Sequence, residues 1–316
     1  MEALDNGFQE VVGIVADVET AADRLVTALG YTVHHRGLVP DGALALMTGA
    51  PGRAAQEILL GNPQTARGDI RLVQFAGAPG GRMRDGGQAW DTGGIFDINI
   101  RALNGIEPLH LSLGLAGFVA PAPITDWDFG PLSVREVVAN DADGLAIALM
   151  ERVSPPLVGF EQLSGPASWV FNSTQVVPDF ASARAFYRDV LGWLPVQETR
   201  QRHATGHNCM GLPFGLAQHI EIEIGIYHPA GRMEGSVEII AFPFAGIDFS
   251  TAAPPDRGWA SLRFPVRDLD AVVARLNAAR QHVSDPVEFD WAPFGPVRAV
   301  VLHTPWGARL ELLELL

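Results

Sequence analysis

The chain has 316 residues, 47% of them hydrophobic and 18% charged, a globular composition long enough for two domains. Its 22 Lys and Arg against 36 Asp and Glu leave a net charge of −14. No basic stripe can support counterion release, so nucleic acid and anionic membranes are excluded as partners.

The single cysteine, Cys209, excludes an intrachain disulfide and a thiolate zinc cluster. The opening MEALDNGFQE has neither the basic nor the apolar segment of a signal peptide. No apolar run approaches the ~18 residues of a membrane span. A soluble, cytoplasmic protein is expected.

Along the chain one pattern recurs: a short strand, a capping Asp or Asn, an amphipathic helix and a glycine-containing exit. The first copy is VVGIVADVETAADRLVTALGYTV, with Asp17 at the helix N-cap. The second and weakest is FDINIRALNGIEPLHLSLGLAGF, with Asn104 at the cap and Pro108 inside the helical stretch. The third, and clearest, is WVFNSTQVVPDFASARAFYRDVLGWLPV. There Asp179 caps a helix carrying Ala183, Phe186, Tyr187, Val190 and Leu191 at helical spacing, and Gly192 ends it. The fourth is WASLRFPVRDLDAVVARLNAARQHV, capped by Asp268. Caps recur about every 75–90 residues, too far apart for a solenoid but right for a whole supersecondary module.

Strand-like runs follow each helix, at 194–199, 216–227 and 236–242 in the third module and 283–290, 297–303 and 308–313 in the fourth. The unit is therefore βαβββ, and the class α+β. One such sheet has a bare face, so modules pair into two eight-stranded open half-barrels, each a cup. Gly- and Pro-rich linkers at 75–94, 154–167 and 244–258 set the boundaries. They give an N-terminal domain over 1–155 (modules 1–75 and 95–153) and a C-terminal domain over 166–316 (modules 167–243 and 258–316). The division falls near residue 160.

The repeated modules, most clearly FYRDVLGW (186–193) and GARLELLEL (307–315), resemble the vicinal oxygen chelate superfamily. Its members include glyoxalase I, extradiol dioxygenases and bleomycin-binding proteins. Metal-using members place a His on first strands and a Glu on last strands. The matching first-strand positions here are Glu10, Asp97, Asn172 and Ser261, none of them His. The last-strand positions are Arg71, Ala148, Glu238 and Glu311. Asn and Ser are weak neutral ligands, and an Arg repels a cation. No cofactor is therefore expected. A divalent ion such as Fe(II), were one bound, would fall to Glu238 and Glu311.

The expected site is the C-terminal cup. Glu238 and Glu311, facing each other there, could not both ionise cheaply and would suit general acid/base work. Asn172 and Ser261 are their hydrogen-bonding partners. His207 is a candidate proton donor and His203 a candidate substrate contact, both on a loop. His219 falls in an alternating run with Glu221 and Glu223 on a face that reads as solvent-exposed, and His303 is a further pocket candidate. Phe214, Trp291 and Phe294 would form an apolar mouth for a flat ligand. Arg71, Glu10 and Asp97 form a charge cluster in the N-terminal cup, read as an ion pair fixing the barrel in preference to a ligand anchor.

The expected function is a metal-independent isomerase, epimerase or lyase acting on a small apolar carbonyl or aromatic compound. The resemblance offers two alternatives: an extradiol-type ring-cleaving dioxygenase with an unorthodox metal site, and a non-catalytic small-molecule binding or sequestration protein. It also makes a homodimer one expected state, since relatives often pair modules between chains.

Overall fold

The computed structural model describes residues 7–49, 53–129 and 131–316. Module one runs β1 (Glu10–Ile14), α1 (Val18–Leu29), β2 (Thr32–Leu38), α2 (Asp41–Thr48), β3 (Ala55–Gly61) and β4 (Asp69–Phe75). Module two runs β5 (Asp97–Ala102), α3 (Ile106–Leu115), β6 (Thr125–Phe129), β7 (Leu132–Asn140) and β8 (Ala146–Ser154). Module three runs β9 (Ala167–Val176), α4 (Phe180–Ala185) with a π-helical turn over Phe186–Val190, β10 (Leu194–Gln201), α5 (Leu216–His219), β11 (Ile222–His228) and β12 (Ser236–Ala241). Module four runs β13 (Gly258–Pro265), α6 (Leu269–Ala278), β14 (Val287–Trp291), β15 (Gly295–His303) and β16 (Arg309–Leu315).

The caps form where the sequence places them in three modules. Asp17, Asp179 and Asp268 accept from the backbone N–H of Thr20, Ser182 and Ala271 at 2.7–2.8 Å. In module two the cap moves to Gly105, which has no side chain to offer. The Glu151 carboxylate takes over, accepting from Ile106 N–H at 3.2 Å, while Asn104 donates to the Gly165 carbonyl. Pro108 is tolerated because it lies in the first turn, where its missing N–H has no helical partner. His219 ends the short α5, ahead of β11, and does not belong to an alternating strand.

Two eight-stranded sheets result, in the orders β14-β15-β16-β13-β1-β4-β3-β2 and β10-β11-β12-β9-β5-β8-β7-β6. The half-barrels therefore form, but module one joins module four and module two joins module three. The expected pairing of neighbours within each chain half is corrected. Residues 155–166 connect β8 and β9, two strands of one sheet, so no boundary near residue 160 separates the cups. All modules offer the same first-strand edge, which is why the sequence does not reveal the choice. The junctions are antiparallel, β1 against β13 and β5 against β9.

Apolar residues segregate into three cores. The largest collects the helices and outer-face residues of both sheets, among them Leu25, Ile70, Ile100, Tyr187, Leu262 and Leu310. Trp259 ties the two sheets together by donating to the Ala146 carbonyl at 2.7 Å. The other two cores fill the concave faces. Among the described residues no helix is long and apolar enough to cross a membrane.

Candidate functional site

The strand registers make the two cups position-for-position comparable. In the first, Glu10 pairs with Arg263, Arg263 with Glu311, Val12 with Arg71 and Glu57 with Val73. In the second, Asp97 pairs with Thr174, Thr174 with Glu238, Asn99 with Ala148 and Glu136 with Met150. Three acidic positions are thus shared: Glu10 with Asp97, Glu57 with Glu136, and Glu311 with Glu238. Two positions differ: Arg71 becomes Ala148, and Arg263 becomes Thr174.

The first cup is closed by its arginines. Arg71 forks onto Glu10 at 2.7 and 3.0 Å and reaches Glu57 at 2.8 Å. Arg263 bonds Glu10 at 2.8 Å and Glu311 at 2.7 Å, and Ser261 donates to Glu311 at 2.5 Å. Every member of this network is buried. Burial alone would raise the Glu10 pKa, but Arg71 and Arg263 outweigh it and hold the carboxyl below its usual value. The helix α2 crosses from the β2 edge to β14 and β15 and lays Ala43, Leu44, Leu46 and Met47 into the mouth. Gly42 permits the approach, since a Cβ there would lie 2.4 Å from the Glu288 carbonyl oxygen. Trp291 is buried, donates to Glu10 at 3.0 Å and packs on Phe294. These two aromatics plug the first cup and form no mouth.

The second cup keeps the acids and lacks the arginines. Asp97 accepts from Asn99 at 3.2 Å; Glu136 accepts from the Trp127 indole at 2.8 Å and from the Cys209 thiol at 3.5 Å. Burial pushes the Asp97 carboxyl up to about 7. Burial, with the charge of Asp97, pushes Glu136 up to about 7 as well. Glu238 is raised well above the usual carboxylate range, by burial first and then by Glu136 and Asp97. Burial and Glu136 likewise raise the Cys209 thiol.

Arg84 is the cation felt by Asp97, yet its guanidinium donates to the backbone carbonyls of Gly93, Asp91 and Gln88 at 2.6–3.2 Å. Ile222, Ile224, Ile240, Val176 and Val134 supply the apolar wall. The 202–221 loop crosses this cup and drops Cys209 and Met210 into it. A cavity of about 270 Å³, lined in part by Arg82, Arg84, Phe96, Asp141 and Met210 and by none of the three acids, opens beside the 202–221 loop.

The expected site is therefore divided. Glu238 and Asn172 lie in the second cup, Glu311 and Ser261 in the first, so the two glutamates cannot act as a pair or share an ion. Asn172 accepts from Asn99 at 3.0 Å and donates to Ser236 at 2.7 Å. Arg71 and Glu10 are the buried ion pair expected of them, but Asp97 belongs to the other cup. His207 and the largely exposed Phe214 stand edge to face with each other on the surface, away from both networks. His203 is buried and stacks on Trp127 at 5.0 Å, and burial lowers its pKa. His303, at the end of β15, lies 3.0 Å from Arg309; partial burial and that charge lower its pKa to about 4. Glu136 and Trp127 were not legible: a lone Glu in LSVREVVAN reads as an outward polar residue until β7 is registered against β8.

The donor sets do not suit the divalent metal associated with this fold. The first cup holds two guanidinium groups among its acids. The second offers carboxylates without an imidazole at the matching strand positions. Among the described residues no group of three or more His, Cys, Asp and Glu is placed to hold a metal ion.

The sequence profile of the Glyoxalase/Bleomycin resistance protein/Dioxygenase superfamily matches residues 170–312. The whole fold is similar to glyoxalase I from Zea mays, with a TM-score of 0.64 at 13% identity, covering 98% of this chain and 92% of that one. It is also similar to a putative dioxygenase from Bacillus subtilis, with a TM-score of 0.58 at 13% identity, covering 98% and 85%. A search of curated proteins finds no match.

Proposed function

We propose that the second cup is the working site of a metal-independent acid/base enzyme, an isomerase, epimerase or lyase for a small apolar carbonyl or aromatic compound. The observation that carries this reading is an acid trio in which only Asp97 has a cation, Arg84, acting on it. Burial raises Asp97 and Glu136 to about 7 and Glu238 well above the usual carboxylate range. A general base works best when its pKa lies near the working pH. The ionised member of the Asp97–Glu136 pair removes a proton next to the substrate carbonyl. Glu238, neutral in its apolar surroundings, donates a hydrogen bond to the oxygen on which charge develops. It then returns a proton to the opposite face or to a leaving group. Asn172 takes no part in this, because Asn99 and Ser236 already engage its amide.

The test is exchange in D₂O. A panel of small ketones and aldehydes with acidic α-hydrogens is incubated with the protein, and α-deuterium is followed by NMR. Enzyme-dependent exchange that survives a chelator is the expected result. Activity abolished by chelation and restored by iron would move the protein to the dioxygenase reading.

A further inference from the structure

We propose that the cavity where modules three and four meet, among the helices on the outer faces of the sheets, binds a small aryl carboxylate: a flat apolar body with one anionic head. The site is separate from both cups, so the inference goes beyond the acid/base reading and does not depend on it.

Where modules one and two meet, α1 packs on α3 and helix covers helix. Where modules three and four meet, α6 packs on β16 of its own module, and a cavity of about 470 Å³ remains beside it. That volume lies within the usual range of small-molecule sites. Its floor is an aromatic pair, Trp193 from module three and Phe264 from module four, with ring centroids 5.0 Å apart and planes at 49°. Leu312 of β16 extends the apolar lining. All three are buried members of the largest core, so the cavity is a gap in the outer layer that reaches down to that core.

The rim gives the ligand's head its sign. α6 turns Leu269 and Leu276 into the core and presents Asp268, Ala271 and Arg275, at the i, i+3, i+7 spacing of one helical face, to the cavity. Ala271 is small and leaves room. Arg275 closes one wall: its guanidinium lies so near Gly192 that a Cβ there would come within 2.9 Å of Nη1. Arg267 stands on the same lining. The single acid of the lining, Asp268, is turned to its own helix, where it accepts from the Ala271 N–H at 2.8 Å. Two guanidinium groups against one committed carboxylate make this rim locally cationic in a chain of net charge −14. A carboxylate matches the planar fork of a guanidinium, whereas an ammonium would meet two like charges. The aromatic floor favours a ring over an alkyl chain, through offset or edge-on contact.

2-Naphthoate is a suitable probe, titrated calorimetrically into the intact protein beside naphthalen-2-ylmethylammonium and naphthalene-2-methanol. 2-Naphthoate should bind most tightly of the three, and its affinity should fall several-fold between about 50 and 500 mM salt as the rim charges are screened. Ala271→Phe, at an exposed helix position, fills the cavity and should weaken 2-naphthoate at least about tenfold with unchanged circular dichroism. Arg275→Gln should weaken it about three- to fivefold, the size of an exposed ion pair, and leave the alcohol unaffected. No binding of 2-naphthoate at millimolar concentration, the ammonium binding as tightly as the carboxylate, or 2-naphthoate affinity indifferent to both variants overturns the proposal. So does a dimer that Ala271→Phe dissociates, which would assign the cavity to a second copy of the chain.

Discussion

The two cups are built on one strand pattern with acids at the same three positions, yet they have opposite electrostatics. In the first, two guanidinium groups turn Glu10, Glu57 and Glu311 into a buried lattice, with α2 and Trp291 over it. In the second, the same positions carry Ala148 and Thr174, and the acids hold their protons up to neutral pH. Two side chains separate a structural core from a titrating site. A carboxylate position alone therefore says little about function; its cation partner decides.

The largest effect should come from breaking the first lattice. Arg263→Met leaves Glu10 and Glu311 without their shared cation and should lower unfolding free energy by about 3–5 kcal/mol in denaturant melts. Thr174→Val, at the matching position of the second cup, should change it by no more than about 1.5 kcal/mol. Equal losses would mean that the cups are not specialised as described. Next is turnover: Glu136→Gln and Glu238→Gln should each slow α-exchange by at least about 100-fold with unchanged circular dichroism. Wild-type rates in both variants would move the site out of the second cup.

The pH dependence of stability should run in opposite directions in the two cups. Asp97 and Glu136 have folded pKa values raised to about 7. Their contribution is full below the ordinary carboxylate range and is lost as pH rises from about 4 through 7. Each pH unit of displacement is worth on the order of 1.4 kcal/mol per group. Glu10 has a lowered pKa, so its contribution is present at neutral pH and lost as pH falls below 4.5. Thermal melts of Asp97→Asn/Glu136→Gln should show a shallower decline between pH 4 and 7, the remainder coming from Asp69, Asp141 and Glu238, and keep the acid limb. An unaltered profile would contradict the burial argument.

Gly42→Ala should cost about 1–3 kcal/mol by lifting α2 off β14, without touching exchange in the second cup. The smallest effect should be Asp17→Ala or Asp268→Ala, about 1 kcal/mol each, because both caps hold helices in the central core and distinguish neither cup.

Much of this fold was readable in the chain. Asp17, Asp179 and Asp268 announced three helices, alternating runs announced the strands, and four copies of one unit announced two half-barrels. Module pairing was not readable, because every module offers the same first-strand edge and local sequence does not record which partner takes it. The site suffered most from that gap. Glu238 and Glu311 both stand on last strands as expected, but they face different interiors, and Asp97 was grouped with Arg71 for the same reason. Glu136 stayed hidden because its neighbours in space come from β5, β12 and the 202–221 loop. The helix α2 was missed as well, since its short DGALALMT run lies between strands and buries against β14, which comes some 240 residues later by the numbering.

The β1–β13 junction also orders events during synthesis. The Arg263–Glu10 bond joins residues 253 positions apart. At ribosomal rates of ~5–20 residues per second, β1 emerges on the order of 10–50 s before its partner strand exists. Modules two and three can close their sheet in that interval, while β1 keeps an unpaired edge and Glu10 has only Arg71 of its two cations. The second cup is then the first finished, and the arginine lattice is the clasp fastened last, when β13 reaches back to the start of the chain.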